Sequence, residues 1–173
     1  MSAAENDITL RPVTLADREM IFRWRNDPFI VAHGSWHRAI EREEHEKWFA
    51  ETVRDEHRRM FVIQHESEPI GQIRFDRKQS ECVISVYLMP PHTGRGWGTR
   101  AIRIGCEMIF QVWDVDRLIA CVRLDNPVGR AAFLKAGFQE SDAEQLCPPE
   151  HYSMVLRRLR EGRNPEAPSA QGL

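Results

Sequence analysis

Apolar positions change period several times along the chain, and each change marks an element. Residues 8–13 (Ile-Thr-Leu-Arg-Pro-Val) alternate apolar and polar side chains, as a strand with one buried face does. Thr14 follows as a cap, and Met20, Ile21, Phe22 and Trp24 then place apolar groups on a helix. A loop rich in aromatic and histidine side chains (Phe29, His33, Trp36, His37) leads to a second helix over residues 41–53. Residues 60–64 and 70–76 read as a hairpin around a Glu-Ser-Glu-Pro turn. Glu81–Leu88, rich in β-branched and aromatic residues and followed by Pro90-Pro91, reads as a central strand. Ile102, Cys106, Ile109 and Trp113 recur at helical spacing, so residues 101–113 are a helix. A short buried strand (118–122), a helix opened near Asn126 and stopped at Gly137, and two closing strands (139–141 and 152–158) complete the pattern. From Glu161 onward the chain is poor in apolar residues and rich in Pro, Gly and Ser. It is expected to be a disordered tail behind one domain spanning 1–160.

Between the central strand and the following helix lies His92-Thr93-Gly94-Arg95-Gly96-Trp97-Gly98-Thr99. A strand feeding a glycine-rich loop that opens a helix suits phosphate: glycines admit close backbone approach, and the first helical N–H groups carry partial positive charge. Arg95 adds a cation. A P-loop is excluded because no lysine follows Gly98. The dinucleotide fingerprint also fails, since Gly98 falls one residue too early after Gly94-x-Gly96 and the loop lies mid-chain.

The loop resembles the acyl-CoA loop of the GNAT N-acetyltransferase superfamily, with Thr93 at a position that is usually Gln or Arg. A second stretch, Asn126-Pro127-Val128-Gly129-Arg130-Ala131-Ala132-Phe133-Leu134-Lys135-Ala136-Gly137-Phe138, is similar to that family's second signature. The resemblance spans residues 8–159. It implies an α/β (α+β) fold in a single domain, with a mixed, mostly antiparallel sheet flanked by helices. It also implies acetyl-CoA as cosubstrate, held by Tyr87, Leu88, Thr93, Gly94, Arg95, Gly96, Trp97, Gly98, Thr99, Asn126 and Phe133.

In that family the central strand parts from its neighbour, so an N–H near Leu88 is expected to polarise the thioester carbonyl. Alternation places Glu81, Val83, Ser85 and Tyr87 on one face and Cys82, Ile84, Val86 and Leu88 on the other, apolar face. The family's frequent strand glutamate is Val83 here. Glu81, acting through a water positioned by Ser85, is the candidate base; the alternative is an exposed strand-start residue and an ordinary hydroxyl. Phe133 stands where the family often has a tyrosine acid and cannot donate a proton. Direct attack in a ternary complex is expected, the thiolate, whose ordinary pKa is about 8.5, leaving unaided or taking a proton from water.

The first two helices carry Phe22-Arg23-Trp24-Arg25-Asn26-Asp27-Pro28 and Glu43-Glu44-His45-x-x-Trp48-Phe49. These segments resemble amino-sugar N-acetyltransferases of the pseudaminic acid pathway, which act on a UDP-linked 4-amino sugar. The candidate acceptor residues are therefore Trp24, Arg25, Asn26, His37, His45 and Arg74. Trp24 and Trp48 also read as core residues, and Arg74, inside a strand, either lines the pocket or pairs with an acid such as Asp76. Ribosomal-protein N-terminal acetyltransferases share a related first helix, and a non-catalytic acyl-CoA-binding module is a third alternative.

A net charge of −2 with interleaved acids and bases argues against a nucleic-acid partner, and no apolar run reaches membrane-spanning length. The partner expected is a small-molecule amine, with a homodimer allowed for. Cys82, Cys106, Cys121 and Cys147 lack metal-ligand spacing and are expected to be reduced thiols in a cytoplasmic protein with no metal site.

Overall fold

The computed structural model describes residues 8–34, 37–141 and 147–159. In chain order these form β1 (Ile8–Pro12), a 3₁₀ turn (Leu15–Asp17), α1 (Arg18–Arg25), α2 (Pro28–His33), α3 (Arg42–Arg54), β2 (Arg58–His65) and β3 (Glu68–Lys78). They continue as β4 (Glu81–Leu88), α4 (Trp97–Val112), β5 (Arg117–Arg123), α5 (Pro127–Lys135), β6 (Gln139–Glu140) and β7 (His151–Arg157). The strands make one sheet in the order β1-β2-β3-β4-β5-β7-β6, antiparallel throughout except between β4 and β5. This is the expected mixed, mostly antiparallel sheet with helices on its faces. Trp36 and the expected tail from residue 161 lie outside the described residues.

The two faces of the sheet are covered by different helices, and the period-2 pattern of β4 decides which. Cys82 and Ile84, with Val86 and Leu88 beyond them, join Ile73, Phe75, Leu118 and Ala120 in the main core beneath Ala101, Ile102, Cys106 and Ile109 of α4. On the opposite face, Ile21 of α1, Phe49 of α3 and Met60 of β2 form a second, smaller cluster with Trp24 and Trp48 at its margin. Asp17 anchors the start of α1. Its carboxylate accepts from the Thr14 backbone N–H at 2.8 Å and takes a two-pronged contact from Arg11 at 2.8 and 2.9 Å. Arg11 thereby holds the Asp17 carboxyl below its usual range, and the orientation of α1 over the sheet follows from this anchor.

Two expectations are corrected. The segment holding Phe29 and His33 is helical, because the Asn26-Asp27-Pro28 break that ends α1 also starts α2. The Asp27 carboxylate accepts from Phe29 N–H, and Pro28 occupies the first turn. The four-thiol expectation also fails: Cys121 and Cys147 form a disulfide, while Cys82 and Cys106 are free and buried. The cysteine argument for a reducing compartment falls with it. Among the described residues, no helix is long and apolar enough to cross a membrane.

Near the end of β4 the sheet leaves no room for a side chain on β3. A Cβ on Gly71 would lie 2.2 Å from the Tyr87 carbonyl oxygen and 2.9 Å from Leu88 Cα. Both are backbone atoms, so relief requires β3 and β4 to separate. Gly71→Ala is expected to cost about 1–3 kcal/mol, lowering Tm by roughly 3–10 °C for a chain of this size. Thermal unfolding measures this, and an unchanged Tm would contradict the close approach.

Candidate active site

The site begins where two strands part. β4 and β5 run side by side from Glu81↔Arg117 to Ile84↔Ala120, and there the ladder stops. On its other edge β4 stays paired with β3 through Leu88. Met89 N–H donates to the Ile70 carbonyl at 2.9 Å, and the Tyr87 carbonyl faces Gly71. Backbone groups alternate along a strand, so Val86 and Leu88 turn their N–H and C=O groups to the opposite edge, where β5 has left. The result is a wedge-shaped gap whose wall is a row of backbone donors and acceptors, a surface that pairs with an extended amide-bearing chain.

At the mouth of the gap the chain turns through residues 90–92, closed by Thr93 Oγ1 donating to the Pro90 carbonyl at 3.0 Å. Gly94 and Gly96 take φ of +75° and +80°, the left-handed region in which any other side chain is strained, and Gly96 caps α4. The first bond of α4 runs from Arg100 N–H to Gly96 C=O. The Trp97, Gly98 and Thr99 amides therefore sit at the positive end of a 16-residue helix without intrahelical acceptors. Gly98 packs over the Leu88 side chain, a Cβ there coming within 3.6 Å of Leu88 Cδ1, so anion-binding amides and gap are adjacent. The Trp97 ring is stacked by His65 at 4.1 Å, and the Arg95 guanidinium lies 5.0 Å from it.

On the face of the sheet carrying Ser85 and Tyr87, a cluster of rings and cations stands beside the gap. Tyr87 O–H donates to Gln72 Oε1 at 3.0 Å, Gln72 is only 4% exposed, and Trp24 meets the Tyr87 ring edge-on at 6.5 Å. Burial pushes the Tyr87 phenol well above its usual pKa, so it remains a neutral donor. Trp48 holds two guanidinium groups near its ring, Arg25 at 3.9 Å and Arg74 at 5.6 Å. Arg74 is neutralised by Asp76 at 2.8 Å, and Asp76 also contacts Arg58 at 3.3 Å. Arg25 is different. Its Nη1 is buried with no hydrogen-bond partner, and burial, with Arg74 nearby, lowers its pKa to about 10 against the opposing pull of Tyr87. Glu44, the carboxylate closest to offering compensation, is bridged to Arg38 at 2.7 Å.

The candidate residues fall into distinct groups. Leu88, Thr93, Gly94, Arg95, Gly96, Trp97, Gly98 and Thr99 lie together along the gap and loop; Trp24, Arg25, Arg74 and Tyr87 meet on the face beside it. Ser85 is the first β4 residue past the last β5 pair and is exposed there. Glu81 is not brought to the gap. It is ion-paired with Arg117 at the other end of β4, seven residues from Leu88, roughly 23 Å along an extended strand. Asn26 spends its amide on the Ile40 backbone, donating at 2.9 Å and accepting at 2.7 Å, so it clasps α1 to the segment before α3. His45 is 1% exposed, its Nε2–H donating to the Arg18 carbonyl at 3.0 Å, and it packs between Phe22, Trp48 and Phe49. His37 lies 2.7 Å from Arg123. Asn126 caps α5 by accepting from Gly129 N–H at 2.9 Å, and Phe133, 6% exposed, packs edge-on against Phe138 in the core. The place of Trp48 beside two arginines and the pairing of Cys121 with Cys147 escape sequence reading, because each depends on elements distant in the chain.

The sequence matches the acetyltransferase (GNAT) domain model over residues 7–139. No curated protein matches it by sequence. The fold is similar to that of the aminoglycoside acetyltransferase AAC(6')-Ib solved with ribostamycin and coenzyme A, at TM-score 0.78 and 21% identity, covering 88% of this chain and 94% of that one. It is also similar to the Vibrio cholerae spermidine N-acetyltransferase solved with CoA and spermine, at TM-score 0.75 and 19% identity over 87% and 95% of the two chains. An acetyltransferase from Thermus thermophilus matches at TM-score 0.72 and 22% identity over 88% and 98%.

His45 ties this helical cover to pH. Burial holds its imidazole pKa below the ordinary value, opposed by the Arg18 carbonyl. The unfolded chain protonates near 6.5 while the folded chain resists. Unfolding therefore takes up a proton as pH falls through that value, and stability declines toward acid. Thermal unfolding of His45→Gln is expected to change less between pH 7.5 and 5.5 than that of the native chain. Parallel pH profiles would contradict the assignment.

Proposed function

This chain belongs to the acetyltransferase (GNAT) domain family, and we propose that it moves an acetyl group from acetyl-CoA to the primary amine of a nucleotide-linked amino sugar. The gap and loop fit acetyl-CoA. The Gly94–Thr99 amides and Arg95 hold its pyrophosphate, while the free edges of Val86 and Leu88 pair with its pantetheine arm. Acetyl-CoA supplies an activated thioester, and Leu88 N–H polarises its carbonyl. The neutral amine attacks directly from the Tyr87 face. Ser85, exposed at the gap, orients the amine or a water beside it, and Glu81 stays bound to Arg117. Phe133, in the core, cannot donate a proton, so the thiolate leaves as the anion, and the proton shed by the attacking amine passes through water to it. Catalysis here is positioning and carbonyl polarisation.

The observation that carries the acceptor assignment is Arg25, a half-buried cation over an aromatic ring beside the reacting edge, whose Nη1 is buried without a hydrogen-bond partner. An unpaired buried charge is costly, and a diphosphate on the acceptor supplies the missing partner. Trp24 and Trp48 offer stacking surface for a base or a sugar.

The direct test is CoA-thiol release with mass spectrometry of products, using a UDP-4-amino-4,6-dideoxy sugar, free N-terminal peptides and spermidine. A single acetyl on the sugar is expected; turnover confined to peptides or spermidine would overturn the acceptor assignment. Losing a charge-assisted contact worth about 1.5–3 kcal/mol, Arg25→Leu is expected to raise KM for the sugar about 10–100-fold, with little change in kcat. An unchanged KM would remove Arg25 from recognition. Gly96→Ala places a Cβ in the left-handed region, and acetyl-CoA binding by calorimetry is expected to weaken about 5–30-fold, a cost of about 1–2 kcal/mol. Undiminished binding would displace the loop assignment.

A further inference from the structure

We propose that the Cys121–Cys147 disulfide is a redox-responsive positioning element that shapes the acceptor side of the β4–β5 gap. This rests on the acetyltransferase reading above. The last β4–β5 pair is Ile84↔Ala120, so Cys121 is the first residue of β5 past the point of separation. Arg117 pairs with Glu81 and Ile119 lies opposite Val83, which puts the odd-numbered side chains of β5 on the face of Ser85 and Tyr87. Cys121 and Arg123 therefore project onto the acceptor face, across the gap from Ser85. The disulfide draws residues 147–150 onto that face, where their other backbone tie is Leu124 N–H to the Glu150 carbonyl at 3.0 Å.

Two residues further along, Arg123 fastens the same strand tip to the last turn of α2 and the segment after it. Asp125 steadies its guanidinium, Nε contacting Oδ1 at 2.7 Å, while Nη1 reaches the Ala32 carbonyl at 3.3 Å and His37 at 2.7 Å. Two straps thus converge on residues 121–123, one covalent and one hydrogen-bonded, and together they set the far wall of the mouth through which the amine must enter. The loop and α4, which hold the acyl donor, are attached to neither strap.

Both cysteines of the pair are partly exposed. Cys82 and Cys106 are buried, which pushes the Cys82 thiol up to about 12 and Cys106 higher still, so neither supplies a thiolate to scramble the bond. A dithiol reductant opens the bridge cleanly: its two thiols become a cyclic disulfide, and Cys121 and Cys147 leave as two thiols carrying the two electrons and two protons. Residues 147–150 then keep the Leu124–Glu150 backbone tie and the contact of His151 with the Pro149 carbonyl, but lose their covalent link to Cys121. Acceptor capture changes, while the acetyl-CoA side of the site stays as it was.

The test uses the full chain purified without reductant. Alkylation under denaturing conditions followed by intact mass is expected to label two of the four cysteines before dithiothreitol and all four after it. Full labelling before reduction would overturn the proposal. Steady-state kinetics then read both substrates. Reduction is expected to raise acceptor KM on the order of tenfold and to leave acetyl-CoA KM within about twofold. The Cys121→Ser/Cys147→Ser double variant is expected to sit at the reduced value with or without dithiothreitol. An unchanged acceptor KM after verified reduction would overturn the proposal, as would a rise in both KM values together with a matching fall in Tm, the mark of a plain staple. If no tested acceptor turns over, the acceptor reading fails on its own, and hydrogen exchange decides this one. Faster exchange on reduction at 121–123 and 32–34 with α4 unchanged supports the proposal, and no change there overturns it.

Discussion

Everything this molecule offers chemically depends on β5 leaving β4 after Ile84 and Ala120. A continuous sheet would bury the edge of β4 in ladder hydrogen bonds and leave nothing for a ligand. Because β3 remains paired to the end of β4, the strand keeps its extended shape while one edge goes unpaired. The backbone groups of Val86 and Leu88 are thus held in place yet have no ladder partner among the described residues. Such preorganised donors interact strongly with a developing negative charge, since no reorganisation is required when the charge appears. The same separation brings the start of α4 over Leu88, so a fixed dipole and a fixed strand edge address one bound molecule.

The distribution of charge around the gap is as informative as its shape. Most arginines on this face are spoken for: Arg74 and Arg58 share Asp76, Arg38 holds Glu44, and Arg117 holds Glu81. These pairs are structural, and one of them holds Glu81 at the end of β4 away from the gap. Arg25 alone among the cations beside Trp48 lacks such a partner among the described residues, and its Nη1 is buried besides. A folded chain tolerates that arrangement at a cost in stability, which makes it a sign of something the chain must bind.

Local signals carried most of the fold. The alternation in β4, the proline pair after it and the glycine loop before α4 were all legible, and with them the strand edge and the helix start, because each is written in neighbouring residues. The acceptor side was only half legible. Arg25 and Trp24 could be named from the first helix, and Asp76, two residues along the same strand face, was legible as a partner for Arg74, but whether Glu81 was available depended on Arg117, 36 residues further on. Asn26 and His45 looked like ligand groups because polar side chains on an apolar helix suggest a pocket. They instead satisfy the Ile40 and Arg18 backbone groups that helix packing would leave buried and unpaired. The disulfide was illegible for the same reason: nothing local to Cys121 shows that residue 147 returns beside it.

The central claim is that the unpaired edge of β4 receives the acyl donor, and residue-resolved amide hydrogen exchange tests it most directly. In the free protein Val86 and Leu88 should exchange quickly while Tyr87 and Met89, bonded to β3, exchange slowly. Addition of acetyl-CoA should slow Val86 and Leu88, together with the amides of Gly96 and Gly98, and leave Tyr87 and Met89 unchanged. Protection that appears elsewhere on the chain, with Val86 and Leu88 still exchanging at their free rates, would contradict the account.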